Sequence, residues 1–121
     1  VLRNLGGEEG KIWSLFMKTI HVKEMVAGDI YVARAMKNIK GSVLGNPFKI
    51  GVHGNRAEVI ERYRHWLWQQ IKLKGEVYNE LVRIVKLYRE NPNIRLVCWC
   101  SPKECHADVI IKAIKWLDTQ I

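Results

Sequence analysis

Several features that would narrow the class of a protein at once are missing from this chain. No apolar run approaches the roughly 20 residues that a membrane-spanning helix requires, so no membrane partner is expected. No repeat and no low-complexity segment occurs, and neither a repeat architecture nor a biased tail is expected. The opening stretch VLRNLGGEEG has no apolar h-region and no small-residue cleavage site, so secretion is not expected. Cysteines number only 3, an odd count that does not make a disulfide framework. No block of roughly five or more like charges appears, and no paired carboxylates stand out. These absences lead to the expectation of a soluble protein with a cytoplasmic location.

A chain of 121 residues fits one domain over 1–121 with a single core. With 48% apolar and 26% charged residues, it has the balance of a folded globular chain rather than a disordered one. The 20 Lys and Arg against 12 Asp and Glu leave a net charge of +8, which favours anionic partners such as nucleotides or nucleic acid. The basic residues are scattered, as on a solvated surface. Lys, Arg, Glu and Ile are plentiful and Gln scarce, a thermophile-like composition.

Periodicity separates an N-terminal extra segment, residues 1–17, from an α/β core, residues 18–121. GEEGKIWSLFMK carries an apolar stripe of Ile12, Trp13, Leu15 and Phe16 and reads as a short helix. TIHVKEM and DIYVARAM read as strands, with turn chemistry at Gly28-Asp29 between them. Residues 37–55 hold too much Gly, Asn and Pro for regular structure, yet Val43, Leu44, Phe48 and Ile50 favour a packed loop. Asn55 is a suitable N-cap for a helix with Val59, Ile60, Tyr63, Trp66, Leu67 and Ile71 on one face. After a break at Gly75, a second helix repeats the pattern through Val77, Leu81, Ile84, Val85 and Tyr88, ending before Pro92. IRLVCWC reads as a buried strand. A last helix from Cys105 packs through Ile110, Ala113, Ile114 and Leu117. The predicted fold is a small Rossmann-like α/β domain with a short, mostly parallel sheet flanked by helices.

Cys98–His106 contains every cysteine of the chain and one of its 4 histidines. Cys100 is expected to end the strand, and Cys105 and His106 to open the next helix. That is where α/β sheets bind ligands and where a helix N-terminus lowers thiol pKa values. Four readings stay open. Cys98, Cys100, Cys105 and His106 match zinc-ligand types, although they lack the two separated pairs usual in such sites. Cys100 and Cys105 could pair as a disulfide across the turn. Cys105 beside His106 could act as a nucleophile with its acid/base partner. Cys98 could simply be core, with Trp99 facing the other way and packing a helix against the sheet. The leading assignment takes Cys105 and His106 as the catalytic candidates, with no metal and no cofactor.

The second candidate cluster is GSVLGNPF. Gly41 and Gly45 permit tight turns and close backbone approach, while Ser42 and Asn46 offer hydrogen bonds. No Gly-Lys-Ser/Thr follows, so this is not a Walker A loop. Arg34, closing the preceding strand, can grip a phosphate or carboxylate.

Together, IYVAR, GSVLGNPFKIG, RAEVIERYRHWL and LVCWCSPKECHADVI resemble an uncharacterised family, DUF4326, of phage, bacterial and archaeal-virus type. The resemblance runs from about Asp29 to Ile111. The chain departs from the family pattern at Ala33, where members carry Gly before Arg34, and AMKNIK before Gly41 is longer than usual. The resemblance implies a location inside the host cell if the source is viral. It names no reaction. The expected function is binding of a nucleotide- or nucleoside-like anionic ligand by Arg34, Gly41, Ser42, Gly45 and Asn46, extending to a hydrolase or transferase acting on it. The alternative is a non-enzymatic basic module for nucleic acid or protein, with a structural, zinc-bound Cys/His segment.

Overall fold

The computed structural model describes residues 17–101 and 103–121; the expected helix over Ile12–Phe16 lies outside the described residues. Three strands, β1 (Lys18–His21), β2 (Ile30–Tyr31) and β3 (Arg95–Cys98), form one sheet in the order β1-β3-β2. All pairings are parallel, with His21 opposite Cys98 and Tyr31 opposite Val97. Three helices follow the expected order: α1 (Arg56–Leu73) and α2 (Glu76–Glu90) before β3, and α3 (His106–Gln120) after it. The α/β class with a short parallel sheet is therefore observed.

β3 occupies the centre because both of its faces are apolar. Leu96 and Val97 point to opposite sides of the sheet and neither is exposed. The flanking strands are shorter than periodicity suggests. At His21 the ring Nδ1 accepts the Lys23 amide at 3.0 Å, and Val22–Glu24 closes into a 3-10 turn. A local side-chain acceptor thus replaces the ladder. β2 stops at Tyr31 because the Ala33 carbonyl accepts from Ser42 N at 2.9 Å. The glycine-rich loop, not β3, pairs the backbone there.

The turn into β2 also ties down the middle strand. Asp29 accepts the Val26 amide at 2.9 Å and receives both Arg95 Nε, at 2.9 Å, and Nη2, at 2.7 Å. The Arg95 guanidinium holds the Asp29 carboxyl below its ordinary range, so a two-pronged pair joins β3 to the chain entering β2.

α1 begins with a reciprocal cap: Asn55 Oδ1 accepts Glu58 N, and Glu58 Oε1 accepts Asn55 N, each at 2.9 Å. This satisfies two amides that the first turn cannot pair internally. Val59, Tyr63, Leu67 and Ile71 form its buried stripe. α2 buries the five residues that spacing singles out, Val77, Leu81, Ile84, Val85 and Tyr88. α3 packs on β1 and β3 and against both other helices, burying Ile110, Ile114 and Leu117.

Between β2 and α1 the loop is built rather than slack. Met36 and Ile39 exchange both backbone hydrogen bonds at 3.0 Å, making a miniature hairpin with Lys37 and Asn38 at its tip. The chain then returns so closely that a Cβ on Gly41 would lie 2.6 Å from the Ala35 nitrogen. A Cβ on Gly45 would lie 3.1 Å from Arg34 N, so the loop also approaches the end of β2 closely here. Tyr63 anchors the loop to α1: its hydroxyl donates to the Leu44 carbonyl at 2.6 Å, with both residues fully buried.

Candidate functional site

Parallel strands bring their carboxyl ends to one edge, where β2 runs into the Arg34 segment and β3 runs into Trp99. A cavity of about 500 Å³ opens at this edge, and its wall includes Arg34, Asn46, Phe48, Arg56, Trp99 and Cys105. Lys49, Cys100, Glu104 and His106 complete its polar lining. The glycine-rich loop and the start of α3, far apart in sequence, thus face one space at the carboxyl ends of the strands. Three cationic side chains and one carboxylate give the cavity a positive character. Phe48 and Trp99 supply flat apolar surface.

Four wall residues, Arg34, Asn46, Arg56 and Trp99, have traceable anchors. Arg34 Nη1 donates to the Asn46 carbonyl at 2.9 Å, joining the end of β2 to the loop. Asn46 uses its side chain inward: Oδ1 accepts Phe48 N at 2.9 Å and Nδ2 donates to the Val59 carbonyl at 3.3 Å. Arg56, the first residue of α1, donates to the Glu104 carbonyl at 3.0 Å. Trp99 donates from Nε1 to Tyr31 Oη at 2.8 Å, and Tyr31 Oη donates to the Arg34 carbonyl.

His106 sits at the first turn of α3, 7% exposed. Its Nε2 lies 2.7 Å from the Val32 carbonyl and, facing an acceptor, carries the proton and donates. Tyr63 packs edge-on against the ring, with centroids 5.0 Å apart. Burial pushes the imidazole pKa below its ordinary value, and the nearby Arg34 charge pushes the same way, against the Val32 carbonyl. The ring is therefore neutral at physiological pH, and Nδ1 is the atom left for proton exchange.

Cys98 lies in the core, as one of the readings has it, while the sulfurs are arranged differently from the zinc and Cys100–Cys105 readings. β3 ends at Cys98, so Cys98 and Cys100 do not share a strand face. The Cys98 Sγ instead lies 2.9 Å from the Cys105 Sγ, and both residues are buried. Cys105 is the N-cap of α3: its sulfur accepts Ala107 N at 3.4 Å, and Asp108 Oδ2 accepts Cys105 N at 3.2 Å. The hydrogen bond from Cys105, reinforced by the Cys100 and Ser101 amides, holds the Cys98 thiol below the ordinary thiol range, at about 6. The same contact and burial push Cys105 strongly upward. Within this pair the downward direction falls on Cys98 and the upward one on Cys105, the reverse of what a helix start alone suggests.

The four residues considered as zinc ligands do not converge, because His106 turns Nε2 to Val32 while Cys105 turns to Cys98. Among the described residues no group of three or more His, Cys, Asp or Glu side chains is placed to hold a metal ion. The pairing considered between Cys100 and Cys105 gives way to contact between Cys98 and Cys105. Trp99 does not pack a helix against the sheet: it lies in the bend after β3, 42% exposed, since strand alternation ends one residue earlier.

Of the residues proposed from sequence, Arg34, Asn46, Cys105 and His106 meet at the cavity. Gly41, Ser42 and Gly45 lie in the loop behind it. Ser42 Oγ accepts Leu44 N at 3.0 Å, and the Ser42 carbonyl accepts Gly45 N at 3.0 Å, so this serine shapes the turn. Lys49 and Arg56 reach the wall without having been singled out, and Phe48 and Trp99, expected only to pack, also line it. Arg56 had a usable signal, as the residue directly after an N-cap and so at the mouth of a helix. No curated protein and no solved structure matches the chain. The same segments that build the cavity fall within residues 17–116, which match the family described as a domain of unknown function, DUF4326; the chain belongs to that family.

Proposed function

We propose that the cavity at the carboxyl ends of β2 and β3 binds a nucleotide- or nucleoside-like anionic ligand. One observation carries this reading: Arg34, Lys49 and Arg56 share a wall with Phe48 and Trp99, while Glu104 is the sole carboxylate among the lining residues described. Guanidinium groups suit phosphate oxygens and flat side chains suit a base. The volume, about 500 Å³, falls in the range of small-molecule sites. A hydrolytic or group-transfer step on such a ligand would draw on His106 Nδ1 and Glu104 for proton movement. Binding is the primary assignment.

Calorimetric titration with nucleoside monophosphates tests it. Saturable binding is expected, weakened about tenfold or more by Arg34→Ala, since a charge-assisted hydrogen bond contributes about 1.5–3 kcal/mol. Intrinsic tryptophan fluorescence should report the same affinity, with the ligand-induced change lost in Trp99→Phe. Absence of saturable binding refutes the reading. So does equal affinity in the Arg34→Ala protein. Binding confined to oligonucleotides, with a steep loss on adding salt, identifies a nucleic-acid module instead.

A further inference from the structure

The Cys98 and Cys105 sulfurs have a geometry that ligand binding does not use. They lie 2.9 Å apart, each on a fixed element: Cys98 ends the central strand and Cys105 caps α3. A disulfide requires about 2.05 Å, so closure asks for less than an ångström of relative motion. The connecting turn already brings its ends together through Lys103 N donating to the Cys100 carbonyl at 2.7 Å. Cys105 forms part of the cavity wall, which gives a small reagent a route to an otherwise buried pair. Cys100 also lines that wall but makes no sulfur–sulfur contact among those described.

From this juxtaposition we infer that Cys98 and Cys105 are a redox-active dithiol, closed to a disulfide by a small two-electron oxidant such as hydrogen peroxide, with Cys100 left as a free thiol. The Cys98 thiolate attacks one peroxide oxygen, the O–O bond breaks, and hydroxide leaves. That hydroxide takes the Cys105 proton and becomes water. The Cys105 thiolate then attacks the Cys98 sulfur, the S–O bond breaks, and the departing hydroxide takes a proton from solvent. The two thiols lose two electrons, the peroxide gains them, and two waters are released. Because Cys105 both caps α3 and faces the cavity, the oxidised form alters the wall at which a ligand would sit. The inference rests on the sulfur geometry and stands whether or not the cavity binds a nucleotide.

The full chain, untagged by metal, is treated with hydrogen peroxide at neutral pH, denatured, alkylated and mapped by mass spectrometry. Cleavage after Lys103 and after Trp99 places the three cysteines on separate peptides. The expected result is a Cys98–Cys105 linked pair with alkylation on Cys100 alone, and reversal by dithiothreitol. Cys100→Ser should leave the linked pair unchanged, which shows that the bridge does not pass through Cys100. A bridge that includes Cys100, or alkylation of all three cysteines after oxidant treatment, overturns the inference. The wild-type map decides the matter even if Cys98→Ser or Cys105→Ser does not fold.

Discussion

Tyr63→Phe is the sharpest test of how the loop is held against α1. The substitution keeps the ring, including its edge-on contact with His106 and its tilted contact with Trp66 at 5.5 Å. It removes a single hydroxyl, whose 2.6 Å bond to the Leu44 carbonyl joins two fully buried residues. A buried carbonyl deprived of its donor costs about 1–3 kcal/mol, so a loss of about 2 kcal/mol is expected. For a chain of this size each kcal/mol moves Tm by roughly 4 °C, giving a decrease of roughly 8 °C. Urea unfolding should show a lower midpoint with an unchanged slope, because the surface exposed on unfolding is the same. Limited proteolysis should cut first within residues 41–50. A variant that melts within about 1 °C of wild type would mean that another donor serves the Leu44 carbonyl, and the anchoring argument fails.

Three further outcomes are expected. Gly41→Ala places a Cβ 2.6 Å from backbone that cannot swing aside, so it should destabilise the protein by about 2 kcal/mol or more, whereas Gly75→Ala, with open space around it, should not; paired urea curves check this. Asn55→Ala removes one half of the α1 cap and should cost about 1 kcal/mol, with Asn55→Asp retaining most of it; equal losses in the two variants would disprove the cap's role. Tm should fall as pH drops from about 8.5 to 5. Cys98 has a depressed folded pKa, so its contribution is complete above the unfolded thiol value, about 8.5, and is lost as pH falls through about 6. His106 also has a depressed folded pKa: its neutral form is favoured in the fold, and stability is lost below the unfolded value, about 6.5. Above about 8.5 the raised Cys105 acts in the opposite direction, since only the unfolded chain ionises it freely. Cys98→Ser should remove the limb between about 6.5 and 8.5 and keep the His106 limb; a flat wild-type profile over that interval contradicts the thiolate assignment.

Helices proved readable because their signals are local. The α2 stripe and the α1 cap depend on residues three and four apart, and both appear where spacing places them. Strand lengths were less readable because pairing is not local. Nothing in TIHVKEM reveals that the His21 ring will claim the Lys23 amide, and nothing in DIYVARAM shows that Ser42 will take the Ala33 carbonyl. The site divides along the same line. Arg34, Asn46, Cys105 and His106 could be found from residue type and position at element ends. The Cys98–Cys105 contact could not, because it depends on where β3 leaves the sheet, and extending the strand through Cys100 turns Trp99 and Cys100 to the wrong sides. Ser42 drew attention as a hydrogen-bonding residue in a glycine-rich stretch, yet its hydroxyl is engaged by the Leu44 amide; composition cannot distinguish a serine that shapes a turn from one that meets a ligand.

The Met36–Ile39 hairpin has a practical consequence. Its two reciprocal backbone bonds make it self-contained, and the tight contact between Ala35 and Gly41 pinches its base shut. Lys37 and Asn38 at the tip are exposed. Met36 at the base of the hairpin lines the cavity, so a group attached at the tip sits one residue away from that wall. The tip is therefore a natural attachment point for a fluorophore that reports on the candidate cavity from outside it.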